Sequence, residues 1–219
     1  MEYIKIKAVY KRDPKGKIIM GEYSDETFKY LENCDWIATE KIDGTNTRII
    51  WDGHRISCKG ASDNANIPDF ESKWLSETFG TPEKEELFEQ VFGGKQAIVF
   101  GEFYGHKINK SGEFMNPQSN GFIIFDVNIN GYWLSYSNMS DIATNIGCDY
   151  VKAARLGTLR QIIDYVIENG TKLAESASGN KAPLEGYVCF PSVPLFFNDG
   201  TPIKTKVKVR DLIVNGYKL

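Results

Sequence analysis

Between Ile203 and Val209 the chain alternates strictly, with Ile203, Thr205, Val207 and Val209 separated by Lys204, Lys206 and Lys208. A strand turns successive side chains to opposite sides. Period 2 therefore predicts a strand over 203–209 with three ammonium groups on one face and apolar groups on the other. Such a strand requires a sheet that is covered on one side and polar on the other.

The remaining pattern is mostly strand. Residues 47–51 and 55–58 flank Asp52-Gly53, a hairpin signal. Runs 97–104, 122–127 and 186–190 are of strand length and rich in apolar and aromatic residues. Three helices are expected. Thr81 caps one, Pro82 takes its first position, Glu83, Glu85 and Glu86 suit its positive end, and it runs to about Phe92. A second covers 138–146 and stops at Gly147. In the third, Thr158 and Gln161 form a capping box, Leu159, Ile162, Ile163 and Val166 make an apolar stripe, and Gly170 ends it. Loops fall at 13–16, 60–69, 105–120, 175–183 and 191–201, rich in Gly, Pro, Asn, Asp or Ser. Strands and helices mix without β-α-β alternation, which argues for an α+β fold with antiparallel sheets. No linker divides residues 1–219, so one domain is expected.

Composition narrows the function classes. The 219 residues carry 26 Lys and Arg against 29 Asp and Glu, a net charge of −3. A basic nucleic-acid coat is excluded, and any polyanion site must be local. No apolar segment follows the charged start, so no secretory signal is read, and no run is long enough to span a membrane. Cys34, Cys58, Cys148 and Cys189 form no C-x-x-C pair, and only His54 and His106 supply imidazole. Zinc and disulfide frameworks are therefore not expected, and scattered thiols suit a cytoplasmic protein.

Chemistry concentrates elsewhere. Glu40-Lys41-Ile42-Asp43-Gly44-Thr45-Asn46 sets an amine beside an acid at the end of an apolar run, before a turn. Glu102 lies inside one aromatic strand and Asp126 ends another, beside Phe125. Glu185 precedes Gly186, and Lys206-Val207-Lys208 follows. A buried acid in an apolar strand is costly unless it meets a cation, a metal or a donor-rich ligand. Each feature alone could be an ordinary strand end or turn; together they need a shared polar centre.

This ordered set resembles the covalent nucleotidyltransferases, the superfamily of ATP-dependent ligases and mRNA capping enzymes. K-x-D-G matches at 41–44, a weaker basic motif at 57–60 with Lys59 in place of the usual arginine, the third at 100–105, the aromatic-acid motif at 122–127, E-G at 185–186 and K-x-K at 206–208. The match spans about residues 36–212. Gly-Thr-Asn after the lysine and the ending at 206–212 look like the RNA ligase 2 type. DNA ligases usually have arginine where Asn46 stands.

The resemblance implies a nucleotidyltransferase fold with antiparallel sheets flanked by helices and the ATP pocket between the sheets. It implies an RNA ligase acting through lysyl-AMP on Lys41 and an adenylylated 5′-end. Glu102 would hold the ribose hydroxyls and Phe125 would stack on adenine. Glu40 and Ile42 would lie at the nucleotide, and Asn46 and Lys59 would meet ribose or phosphate. Lys206 and Lys208 would hold the α-phosphate. Asp43, Glu185 and Asp126 would organise Mg2+ or Mn2+. The partner would be RNA, sealed at ends or nicks, with a nicked duplex or RNA/DNA hybrid among the forms it could take, in RNA repair. Only 11 residues follow Lys208. The resemblance thus implies the nucleotidyltransferase domain without the usual C-terminal domain, and a protein partner could replace it. Lys107, Lys110, Lys152, Arg155 and Arg160, with Tyr104, Tyr132 and Trp133, could form an RNA patch, although surface charge and core aromatics are the simpler account. A DNA nick ligase, a guanylyltransferase and a non-catalytic RNA- or nucleotide-binding module are the alternatives.

Overall fold

A computed structural model describes residues 1–108, 119–174 and 184–213. In chain order the elements are β1 (Lys7–Ala8), β2 (Tyr10–Arg12), β3 (Ile18–Tyr23), α1 (Glu26–Tyr30), β4 (Asp35–Glu40), β5 (Thr45–Trp51) and β6 (Ile56–Gly60). Then come α2 (Asp69–Phe79), α3 (Pro82–Phe92), β7 (Ala97–Gly105), β8 (Asn120–Ile129), β9 (Tyr132–Trp133), α4 (Tyr136–Asn145) and β10 (Asp149–Tyr150). β11 (Ala153–Thr158), α5 (Leu159–Ala174), β12 (Gly186–Pro191), β13 (Thr205–Lys208) and α6 (Val209–Ile213) complete the chain. The fold is α+β. Its strand pairs are antiparallel except β1 with β13 and β10 with β8.

The chain forms two compact units. The first comprises Met1–Tyr3 and Asp43–Val151, the second Ile4–Ile42 and Lys152–Leu219. In the first, strands run in the order β10-β8-β7-β5-β6, with β9 on β8. One face buries Ile49, Trp51, Val99, Phe103, Phe122, Ile124 and Val127 against Leu75 and Phe79 of α2, Phe88 and Phe92 of α3 and Met139 of α4. Strict alternation would not bring both Ile124 and Val127, three residues apart, to that core. A β-bulge resolves this: Phe100 opposes Asp126 but Gly101 opposes Ile124, so Phe125 is the extra residue. Bulges re-aim side chains and recur beside functional sites. α3 has the expected ends, with Thr81 accepting from the Lys84 N–H at 3.3 Å and Pro82 at its first position.

In the second unit the order is β1-β13-β12-β4-β11, with β2 and β3 as a separate hairpin. Trp36 and Ala38 of β4, Tyr187 and Cys189 of β12 and Val207 of β13 pack on Leu159, Ile162, Ile163 and Val166 of α5. The capping box forms: the Thr158 N–H donates to Gln161 Oε1 at 2.9 Å and the Gln161 N–H to Thr158 Oγ1 at 3.1 Å.

Several expectations need correction. α5 runs through Gly170, which is buried, and ends four residues later. α4 starts at Tyr136 behind the Ser135 cap, two residues earlier than expected, and ends at Asn145. β13 covers only 205–208, because Val209 opens α6. Lys204 precedes β13 and is buried, with its ammonium 4.9 Å from the centre of the Phe190 ring. The first two residues of β13's alternation, Thr205 buried and Lys206 half-buried, repeat in Val207 and Lys208. The expected loop at 175–183 lies outside the described residues, as does most of that at 105–120.

Candidate functional site

In the second unit the site residues are set by strand register. Gly186 opposes Lys208, Val188 opposes both Lys206 and Thr39, and the Lys41 N–H donates to the Gly186 carbonyl at 2.9 Å. One sheet face thus carries Lys41, Lys206 and Lys208 around the start of β12, where Glu185 stands. Lys41 Nζ donates to Glu185 Oε2 at 2.6 Å, and Lys208 Nζ donates to Oε1 at 2.6 Å. All three side chains are mostly buried, so these charge-assisted bonds are short and shielded. Gly186 permits this closeness. A Cβ there would sit 2.2 Å from the Val207 carbonyl oxygen, so no larger residue fits between β12 and β13.

Three ammonium groups face one carboxylate. Burial, aided by the charges of Lys208 and Lys41, pushes the Lys206 amine below its ordinary value. The row therefore has excess positive potential, which suits an anion with several oxygens. Glu40 lies on the opposite side of β4 from Lys41 by strand alternation, opposite Tyr187 in register. Ile42 is buried at the end of this unit.

In the first unit a second set shares one sheet face. Register aligns Lys59, Arg48, Phe100 and Asp126 in a row across β6, β5, β7 and β8, and Asn46 with Glu102 in the next row. This is the face opposite the hydrophobic core. The Gly44 N–H donates to Glu102 Oε1 at 3.2 Å, and a Cβ at Gly44 would lie 2.3 Å from the Phe103 carbonyl. Asn46 Oδ1 is buried and, among the described residues, has no hydrogen-bond partner. An orphaned acceptor beside Glu102 is where a ligand hydroxyl or amine would be satisfied. Asp43, half-buried, opens this unit directly after Ile42.

The structure thus groups Lys41, Glu185, Lys206 and Lys208 in one unit and Asn46, Lys59, Glu102 and Asp126, with Phe125 at the bulge, in the other. Among the described residues no group of three or more His, Cys, Asp or Glu is placed to hold a metal ion. A cation at Glu185 would have to complete its shell with ligand oxygens and water, the habit of magnesium. Of the suggested RNA patch, Trp133 stacks on Phe100 at 5.2 Å and 26°, as packing, while Tyr132 is exposed. Lys107, Lys152 and Arg160 are exposed, Arg155 is half-buried, and Lys110 lies outside the described residues.

Three residues at these faces have no counterpart among the sequence expectations. Arg48 is fully buried and donates to the Gly60 carbonyl at 2.7 Å, the Met1 carbonyl at 2.8 Å and Asp63 at 3.1 Å, fixing the strand end that bears Lys59. Asp63 also meets Lys59 at 3.5 Å, and Arg48 with Lys59 holds its carboxyl below the usual range. Tyr3 donates its hydroxyl to Asp126 at 2.5 Å. Burial, and then the Asp126 and Glu102 charges, push that hydroxyl well up, so it remains a donor. An arginine in an apolar strand was the one available signal; Tyr3 gave none.

A family model described as RNA ligase matches residues 35–206. Comparison with curated proteins finds no match. Among solved structures, a mutant Naegleria gruberi RNA ligase with ATP and Mn superposes with a TM-score of 0.66 at 14% identity, over 99% of this chain and 58% of that one. Naegleria gruberi RNA ligase with PPi gives 0.62 at 13% identity, over 98% and 64%. A mutant of it with AMP and Mn gives 0.63 at 14%, over 95% and 56%. The chain spans between half and two thirds of these chains' lengths, and at such identities the likeness is one of fold.

Proposed function

The chain belongs to the RNA ligase family, and from that membership we propose that it is an ATP-dependent RNA ligase and that residues 1–219 make up one nucleotidyltransferase domain. The observation that carries the reading is the pair of 2.6 Å bonds that fix Lys41 and Lys208 on the two oxygens of Glu185, with Lys206 on the same face. A nucleophilic amine among fixed cations suits attack on a phosphate. The binding of ATP, AMP, PPi and Mn named for Naegleria gruberi RNA ligase supports the same chemistry.

In the first step Lys41, having given up its proton, attacks the α-phosphorus of ATP. A nitrogen–phosphorus bond forms, the bond to the bridging oxygen breaks, and pyrophosphate leaves. Lys206 and Lys208 offset charge on the phosphoryl oxygens, the main demand of phosphoryl transfer. The AMP then passes to an RNA 5′-phosphate, restoring the Lys41 amine. A 3′-hydroxyl attacks that activated phosphate, joining the strands and expelling AMP. Covalent catalysis divides one hard step into easier ones.

Glu102 holds the ribose, Asn46 and Lys59 meet ribose or phosphate, and Phe125 stacks on adenine, whereas Glu40, on the side of β4 away from Lys41, and the buried Ile42 are not placed to line the nucleotide. The orphaned Asn46 acceptor fits such a ligand. A Mg2+ or Mn2+ ion would be held by Glu185, with ligand oxygens and water completing its shell. The two ammonium groups on Glu185 mark a carboxylate able to take that charge. When bound, the ion supplies charge neutralisation and orientation of phosphate oxygens. The substrate is RNA with a 5′-phosphate and a 3′-hydroxyl, in a nick or hybrid, within RNA repair in the cytoplasm.

The test is intact mass after incubation with ATP and magnesium. We expect one AMP added to the protein and none to Lys41→Ala. No adduct across pH and metal conditions would overturn the reading. Labelling by GTP instead would make it a guanylyltransferase, and sealing of nicked DNA but not RNA a DNA ligase.

A further inference from the structure

We propose that Tyr3 is a positioning residue of the nucleotide-binding face, fixing Asp126 through its hydroxyl and Phe125 through its ring. The inference rests on the nucleotide roles proposed above for those two residues. Tyr3 is set apart by the chain itself: Met1–Tyr3 belongs to the first unit, while Ile4 onward belongs to the second. The tripeptide is bound along the ligand face of β5 to β8 by three separate contacts. The Met1 carbonyl accepts from Arg48 at 2.8 Å, the Glu2 carboxylate accepts from the Asp63 N–H at 3.1 Å, and the Tyr3 hydroxyl donates to Asp126 at 2.5 Å.

The Tyr3 ring also meets three aromatics of that face. It packs edge-to-face with Phe125 at 4.9 Å and 63°, and it lies 5.1 Å from Phe100 and 5.9 Å from Trp133. Phe125 is the bulged residue of β8, with no strand partner opposite it to hold it. Bulged positions lose ladder support, so the contacts of its ring decide where it stands. Tyr3 supplies one of them, and supplies a hydrogen bond to the next residue along. A single side chain therefore sets both the stacking ring and the neighbouring carboxylate.

The experiment compares Tyr3→Phe, Asp126→Asn and the double variant, each in the wild-type and in a Lys41→Ala background. ATP affinity is measured by calorimetry in the Lys41→Ala background, where binding is separated from chemistry. KM for ATP and kcat of adduct formation are measured with Lys41 intact, and thermal midpoints are recorded throughout. Hydrogen bonds to charged groups predict roughly a tenfold loss of ATP affinity and a matching rise in KM for Tyr3→Phe. Kcat should change less. The tyrosine effect should shrink once Asp126 is asparagine, whose amide oxygen still accepts from the Tyr3 hydroxyl but carries no charge. Unchanged affinity in Tyr3→Phe, or a lowered midpoint alone, overturns this inference and leaves the ligase reading intact. A wild-type chain that takes no AMP overturns both.

Discussion

Glu185 holds two ammonium groups at once, and that double duty makes a sharp prediction. Glutamine at this position keeps the shape but offers one acceptor and no charge to Lys41 and Lys208. Losing one charged element of a pre-arranged phosphoryl site costs about a hundredfold in rate, so Glu185→Gln should form the AMP adduct about a hundredfold more slowly, with an unchanged circular dichroism spectrum. A faster variant would show that the ion pair only restrains the amine. A second residue tests stability. Glu71 is fully buried in α2, accepts from Thr47 at 2.8 Å, and has one carboxylate oxygen without a partner among the described residues. Burial raises its pKa above the unfolded value. The protonated form is thus favoured on folding, and its contribution is present in acid and lost as pH rises through the folded value. Glu71→Gln should gain about 1 kcal/mol near pH 8 and nothing near pH 4 by urea denaturation. Lys41, Glu185 and the lysine pair were legible as residues because their order and spacing are a local pattern. Tyr3, Arg48 and Glu71 were not, because their roles rest on partners far away in sequence, such as Asp126, which is 123 positions from Tyr3.

Elements explain which parts of the fold could be read. α3 and the start of α5 declare themselves through caps, signals confined to three or four residues. α2 was invisible because its buried stripe is Glu71, Leu75 and Phe79, and a carboxylate breaks the apolar period. β11 is largely exposed and shows no alternation, so nothing marks it as a strand. The bulge at Phe125 arises from pairing with β7, which local sequence does not encode. The close approach of β12 and β13 is the element-scale feature most tied to chemistry. With a Cβ 2.2 Å from the Val207 carbonyl and 2.8 Å from the Lys208 Cα, Gly186→Ala must push those strands apart. Overpacking of this kind costs about 1–3 kcal/mol, and it separates Glu185 from Lys208. We expect a lower urea midpoint together with strongly reduced adduct formation. Gly94→Ala, whose Cβ meets nothing within 4 Å, should be neutral in both measurements. Equal behaviour of the two variants would mean that the strand spacing is not set by this glycine.

At the scale of the whole molecule, charge and function pull in different directions. A net charge of −3 gives the chain no long-range attraction for RNA. The cations proposed to meet phosphate are instead confined to sheet faces, Lys41, Lys206 and Lys208 on one and Lys59 on another. Each phosphate contact releases condensed counterions, so the logarithm of affinity falls with the logarithm of salt in proportion to the number of contacts. A protein coated in positive charge has a steep slope; a local cationic row has a shallow one. Binding of a 5′-phosphorylated RNA strand, followed by fluorescence anisotropy between low and moderate salt, should therefore give a slope of only about −2 to −3. Lys206→Ala should weaken binding and reduce the slope by about 1. Lys152→Ala, removing an exposed lysine of the second unit outside the row, should leave the slope as it was. If instead Lys152 and the other surface lysines carry the slope and Lys206 does not, the RNA is held by the dispersed surface charge. The lysine row would then serve the nucleotide alone, and the acidic balance would have to be overcome by a partner that brings the RNA.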